Sequence, residues 1–253
     1  MKKIIAVILA LVLSLTILSG CKPNESKAPE KTPASIKITE SVKEFKNADG
    51  KVVYKVNYSV PELTADFCEA HVADAINRYI TEFYLDTAFS FAENNTKNVR
   101  PDEKDAREIN VTHEIKYFSD NVMSVVFSTA YSKSGGIVEA RNFNLKDGSV
   151  ISIEQYFLLA KNEVREKLIA QLQADAKTGL LDTELTEEQL KVIETKFDPY
   201  NFWFDSLTVN FLYNKTDINP GLGLTAGVYE LVIDPGTAIT LNINTDPEYI
   251  FAE

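Results

Sequence analysis

Residues 108–153 constrain the fold more than any other part of the chain. In EINVTHEIKYF (108–118), Ile109, Val111, His113, Ile115 and Tyr117 alternate with Asn110, Thr112, Glu114 and Lys116. After the turn SDN, the alternation resumes with Met123, Val125, Phe127, Thr129 and Tyr131. Successive strand side chains point to opposite faces, so this spacing predicts strands with one face buried and one wet. Such a pattern reads as an antiparallel meander. Turns are expected at Ser134-Gly135-Gly136 and at Lys146-Asp147-Gly148.

The flanking segments extend the sheet. SIKITESVKEF and VVYKVNYSVPEL, joined at Asp49-Gly50, read as a β-hairpin. A helix follows with Thr64 as its N-cap, and Val72, Ile76, Tyr79, Ile80 and Phe83 recur at helical spacing. Cys68 extends that apolar row and reads as a buried, inert thiol. Further helices are expected at 161–177 and 187–196, the second opened by a capping box from Thr186 to Gln189. A last β segment carries Leu207, Val209, Phe211 and Tyr213 in alternation, then a loop and the strand VYELVI. The expected class is α+β, with antiparallel sheets covered by helices, as a subdomain over 36–132 and a second, closely packed one over 133–253.

The first residues place the protein. Met1-Lys2-Lys3 precede an apolar run of signal-peptide length, shorter than the roughly 20 residues of a membrane span. The run ends in Leu18-Ser19-Gly20-Cys21, which resembles a bacterial lipobox. We therefore expect a signal peptide over 1–20 and a lipid anchor on Cys21 at the cell membrane, with the body outside the cytoplasm. Residues 22–35, with three prolines and no large apolar side chain, read as a solvated tether.

Loss of Lys2 and Lys3 with the leader takes the formal charge from −11 to −13. That balance argues against nucleic acid, and it either attracts a cationic partner or only keeps the domain soluble. With Cys21 lipidated, Cys68 stands alone, which disfavours disulfide or zinc chemistry.

Catalytic signals are sparse. His71 sits at the edge of the helix, and His113 lies on the apolar side of its strand, where a hydrogen-bonded core histidine is expected. HExxH, GxSxG, CxxC and the P-loop pattern do not occur. The carboxylates Asp102, Glu103, Asp105 and Glu108 lie in a polar connection, without EF-hand spacing. No cofactor, metal site or catalytic residue is expected. Tyr200, Phe202, Trp203 and Phe204 crowd one segment and could fill a core or anchor an interface. The binding candidates are Tyr131, Arg141, Trp203 and Tyr213.

The order of parts resembles a known family. Gly135-Gly136, Phe143-Asn144, Gly148, Ile151 and Phe157, then Val209, Phe211, Ile218, Pro220 and Gly227, match motifs of the extracytoplasmic domain pair of lysozyme-sensing anti-sigma factors. The same pair occurs beside polysaccharide deacetylase domains. Val138 stands where relatives often have His, and Thr216 stands near their loop tyrosine. Three residues precede the apolar run, so no sigma-binding region is expected, and no deacetylase domain is expected either. The resemblance implies a lipid-anchored envelope module that binds a cationic lysozyme-like hydrolase or wall glycan without catalysis. The alternatives are an envelope enzyme acting on peptidoglycan through paired carboxylates, and a structural or assembly lipoprotein.

Overall fold

The computed structural model describes residues 36–100, 102–132, 135–156, 161–177, 186–205, 208–218 and 228–233. The side chains of 161–162, 176–177 and 187–190 are outside this description. Cys21, the tether, Ser134, Phe157, the Gln189 side chain, Leu207, Pro220 and Gly227 therefore lie outside the described residues.

The fold is α+β, with a five-stranded and a three-stranded sheet. Strands β1 (Lys37–Lys46) and β2 (Val52–Glu62) form the expected antiparallel hairpin, with Gly50 at φ 80° in its turn. Helix α1 (Ala70–Ile80), a π-helical turn (Thr81–Leu85) and helix α2 (Asp86–Asn95) then cross the sheet. Strands β3 (Arg107–Phe118), β4 (Val122–Tyr131) and β5 (Gly135–Asn144) complete the order β1-β2-β3-β4-β5. The β3-β4-β5 meander is antiparallel as expected. The β2–β3 pair is parallel, because the helical crossover returns the chain in the direction of β2.

Short helix α3 (Ile153–Tyr156) leads to α4 (Lys161–Lys177) and α5 (Glu187–Thr195). Strands β6 (Phe202–Phe204), β7 (Val209–Asn214) and β8 (Val228–Ile233), with α6 (Lys215–Ile218) between the last two, form the antiparallel second sheet. Strand β5, beyond the 132/133 boundary, pairs with β4 from Gly135↔Tyr131 to Asn144↔Val122. Gly136 is needed there, since a Cβ would stand 2.8 Å from the Thr129 carbonyl oxygen.

One face of the large sheet receives α1 and α2 over Val56, Ile109, Val111, Val125, Phe127 and Phe143. A second core lies between β6–β8 and the later helices, around Leu168, Leu172, Ile193, Phe202 and Phe211. A third, small cluster joins Val126 and Ala140 of the large sheet to Leu212 of the small one. Strand β4 is therefore buried on both faces, with every residue from Val122 to Phe127 enclosed. The expected wet face is lost there because β6 and β7 cover it. A register shift between Ile115 and Tyr117 reverses parity in β3. Ile115 and Phe118 thus join the helix-side core, while Tyr117 reaches Phe204 across the sheet at 5.1 Å.

Two helix expectations need correction. Thr64 does not cap α1; its carbonyl accepts from Phe67 N–H in a turn, and the helix starts at Ala70. That turn seats buried Phe67 edge-on to Phe118, at 5.7 Å, and leaves Cys68 half-buried against the same core. Phe83 is 51% exposed rather than in the core. The π-helical turn adds a residue to the winding, so Tyr84 and Leu85 take the buried places.

The two sheets meet through an exchange of polar side chains. Strand β5 is an edge, whose outward backbone groups must find partners when covered. Asn201 accepts from Ala140 N–H at 2.8 Å, and Asn214 both accepts from Val138 N–H and donates to its carbonyl, each at 3.2 Å. Strand β6 is the edge of the other sheet. Asn142 donates to the Phe202 carbonyl at 2.7 Å, and the Ser124 hydroxyl accepts from Phe204 N–H at 3.2 Å. All four side chains come from buried residues.

Candidate functional site

The densest group of charged side chains surrounds Arg141. The alternation of β5 turns Glu139, Arg141 and Phe143 toward the helices, because their partners Phe127, Val125 and Met123 face that core. Arg141 is 4% exposed. Its Nε donates to Tyr79 Oη at 2.9 Å and its Nη1 to the Ala140 carbonyl at 2.7 Å. Its Nη2 pairs with Asp198 at 3.0 Å and, more loosely, with Glu139 at 3.6 Å. Tyr84 stacks on Phe127 at 4.0 Å, with its hydroxyl buried and without a hydrogen-bond partner among the described residues.

Burial sets the protonation of this group. It pushes the Glu139 carboxyl above the usual carboxylate range; Arg141 opposes the rise, while Asp198 and Asp217 add to it. Asp217 is raised by burial and by Asp198, against the pull of Lys196. Tyr84 is held far above an ordinary phenol by burial. Burial works against the Arg141 cation, but Tyr84, Asp198, Tyr79 and Glu139 outweigh it and hold the guanidinium charged. Nε, Nη1 and Nη2 all have partners, so Arg141 clamps α1, β5 and the segment that follows α5 together.

The binding candidates do not converge. Tyr131 shares the helix-side face of the large sheet with Arg141. It packs against Phe91 at 4.8 Å in a cleft of about 100 Å³ with Tyr54 and Arg107. Arg107 is held by both oxygens of Glu103, at 3.2 and 3.0 Å, so this acidic connection anchors a strand end. Trp203 faces the large sheet; its Nε1 donates to Glu230 at 2.8 Å, and Lys116 Nζ lies 4.7 Å from the ring centre. Tyr213 is buried. The odd positions of β7 face the second core, so Tyr213 is 3% exposed and donates its hydroxyl to the Ile193 carbonyl at 3.0 Å. Arg141 likewise faces inward and offers no surface contact.

The other residues singled out have structural partners. His113 contacts the Ser59 carbonyl through Nδ1 at 2.8 Å, hydrogen-bonded as expected but half-buried rather than in the core. His71 is exposed beside Glu69, at 3.3 Å. Phe202 and Phe204 fill the second core, whereas Tyr200 is exposed. No cluster of His, Cys, Asp or Glu with metal-ligand geometry occurs among the described residues.

The outer face of the helical layer was not legible in the sequence. Asp74, Glu82, Asp86 and Glu93 are exposed there, with Asp66 and Glu69 just before α1, against exposed Arg78 on α1 and exposed Lys97 and Arg100 just after α2. Phe83 and Phe91 stand among them, 51% and 42% exposed, with Phe83 stacked on Tyr79 at 4.4 Å. Exposed aromatics rimmed by charge are the usual composition of a protein-binding patch. The acidic residues could have been counted in the sequence. Phe83 was hidden by the phase change at the π-helical turn.

No family model matches the sequence, and a search of curated proteins finds no match. Solved structures do resemble it. A DUF3298 family member from Bacteroides fragilis has 14% identity and a TM-score of 0.46, covering 85% of this chain and 96% of that one. A DUF3298 family protein from Pseudomonas aeruginosa has 12% identity and a TM-score of 0.52, covering 84% of this chain and 97% of that one. At that identity the likeness is one of fold: this chain is built like the Pseudomonas DUF3298 protein over nearly the whole of that structure.

Proposed function

We propose that this protein is a lipid-anchored binding module of the cell envelope, whose acidic helical face docks a cationic secreted protein of the lysozyme-like hydrolase class. The observation that carries the reading is the patch from α1 to α2, where Phe83 and Phe91 are exposed with the exposed carboxylates Asp74, Glu82, Asp86 and Glu93. Charge of one sign speeds and orients encounter with a basic partner, and exposed aromatic rings supply buried area once contact is made. The formal charge of −11 acts in the same direction. The lipobox-like Leu18-Ser19-Gly20-Cys21 and the resemblance to lysozyme-sensing domains support the location and the partner class.

The test is a binding titration of the full-length protein against a purified lysozyme at two ionic strengths. Affinity should fall about tenfold or more between low and physiological salt, because the attraction is screened over about 8–10 Å. Glu82→Lys with Asp86→Lys should remove most of the low-salt affinity, and Phe83→Ser should weaken what remains at high salt. These side chains are exposed, so thermal stability should hold. Unchanged affinity in the charge-reversed variant would sink the assignment of this face. Loss of membrane attachment in Cys21→Ala is the matching check of the anchor.

A further inference from the structure

The large sheet has a second open region. Strands β4 and β5 are covered on their outer face by β6 and β7, through Val126, Ala140, Leu212 and Trp203. Among the described residues, the same face of β1, β2 and the part of β3 up to Thr112 forms a groove of about 330 Å³. It lies on the opposite side of the sheet from α1 and α2, so it is separate from the acidic helical patch. Register places Glu40 beside Ser59, Val42 beside Asn57, and Asn57 beside Asn110. Thr112 follows Asn110 on this face of β3 and also lines the groove.

We propose that this groove binds a neutral acetamido sugar, such as an N-acetylhexosamine unit of a glycan. The central observation is the asparagine pair. Asn57 Nδ2 donates to Asn110 Oδ1 at 2.8 Å, which uses one donor and one acceptor. An amide side chain offers a carbonyl acceptor and an NH2 group with two donors. The carbonyl of Asn57 and the NH2 of Asn110 therefore remain for a ligand. Turning both amides over exchanges the roles but still leaves one carbonyl and one NH2 on the groove. That donor–acceptor set is complementary to an acetamido group, which presents one N–H and one C=O.

The surroundings suit a sugar ring. The Ser59 hydroxyl donates to Glu40 at 3.3 Å, so the remaining carboxylate lone pairs can accept from ring hydroxyls. The Thr112 hydroxyl adds a donor and acceptor in the next row. Val42 is 55% exposed and offers an apolar surface for the acetamido methyl and the C–H face of the ring. Convergent polar groups beside a limited apolar surface are the usual make-up of a small-ligand site. A basic protein surface would instead find one carboxylate and mostly neutral side chains here.

The experiment is a titration of the full-length protein with chitotriose, using cellotriose and a blocked dipeptide, N-acetylalanine methylamide, as comparators. Chitotriose should bind with a Kd of about 1 mM or tighter. Asn57→Ala and Asn110→Ala should each weaken it by about tenfold, the usual effect of losing a ligand hydrogen bond. Amide shift changes should be confined to residues near 40–42, 57–59 and 110–112. Should either alanine variant unfold, Thr112→Val gives the same test with a smaller loss. No binding at about 10 mM chitotriose overturns the proposal. Equal affinity for cellotriose overturns the acetamido assignment, and tighter binding of the dipeptide replaces the sugar by a peptide. Binding unchanged in both asparagine variants, or shifts elsewhere, overturns the placement. Charge reversal on α1–α2 should leave the sugar titration untouched, so the two readings fail separately.

Discussion

Replacing Arg141 with methionine is expected to lower the unfolding free energy by about 3–5 kcal/mol, the usual cost of removing one partner from a buried ionic group. The loss has several sources. Glu139 keeps its partly buried carboxylate without the nearby cation, and the Ala140 carbonyl and Tyr79 hydroxyl each lose a donor. Asp198 can turn toward solvent, since its side chain is 37% exposed, and contributes less. Lysine should not restore the wild-type value, because it cannot reach Tyr79, Ala140 and Asp198 from one fixed plane.

The same variant should show a distinctive pH dependence. Burial already raises Glu139, and Arg141 is the group that opposes the rise. Without Arg141 the folded-state carboxyl titrates higher still, while the unfolded one keeps its ordinary value. The folded state then binds more protons in the window between those two values, so stability falls as pH rises through it. The penalty of the substitution should therefore be larger at pH 8 than at pH 5. Adding Glu139→Gln should recover part of the loss at pH 8 and little at pH 5. Urea unfolding at the two pH values measures both effects; a penalty independent of pH would show that Glu139 carries no charge beside Arg141.

Asn201→Ala should cost about 2–6 kcal/mol, since two buried backbone groups lose their partners at about 1–3 kcal/mol each. Asn201 accepts from Ala140 N–H on β5 and donates to the Leu212 carbonyl on β7 at 3.0 Å. Both groups lie where the small sheet covers the large one, so water cannot replace the lost bonds without opening the joint. Asn201→Asp should be at least as damaging, because it keeps the acceptor for Ala140 but turns a lone pair toward the Leu212 carbonyl. Hydrogen exchange gives the local readout: the Ala140 amide should lose protection ahead of the β3–β4 amides. An Ala140 amide as protected as in the wild type would mean that another group had closed the edge.

Much of the fold was legible because its signals are local. The alternation from Ile109 to Tyr131 specifies strands within a few residues, and Asp49-Gly50 specifies a hairpin without reference to the rest of the chain. The helix at 161–177 was found at its observed bounds for the same reason. The site candidates fared differently, since exposure is not a local property. Arg141 and Tyr213 look like ordinary polar residues in strands, yet each faces a core. Phe83 looks like the last residue of an apolar row, yet one extra residue in the helical winding turns it outward.

The sequence by itself determined the α+β class, the hairpin, the meander and the acidic balance, because each depends on spacing along a few residues or on composition alone. Only the tertiary structure decided that β2 and β3 run parallel and that β4 is enclosed on both faces. It also decided which polar residues are structural. Ser124, Asn142, Asn201 and Asn214 close two sheet edges across separations of 60–80 residues, as in Phe204 to Ser124 and Asn142 to Phe202. Such pairings follow from buried backbone groups that must find partners wherever the chain brings them. No short stretch of sequence holds both halves of that requirement.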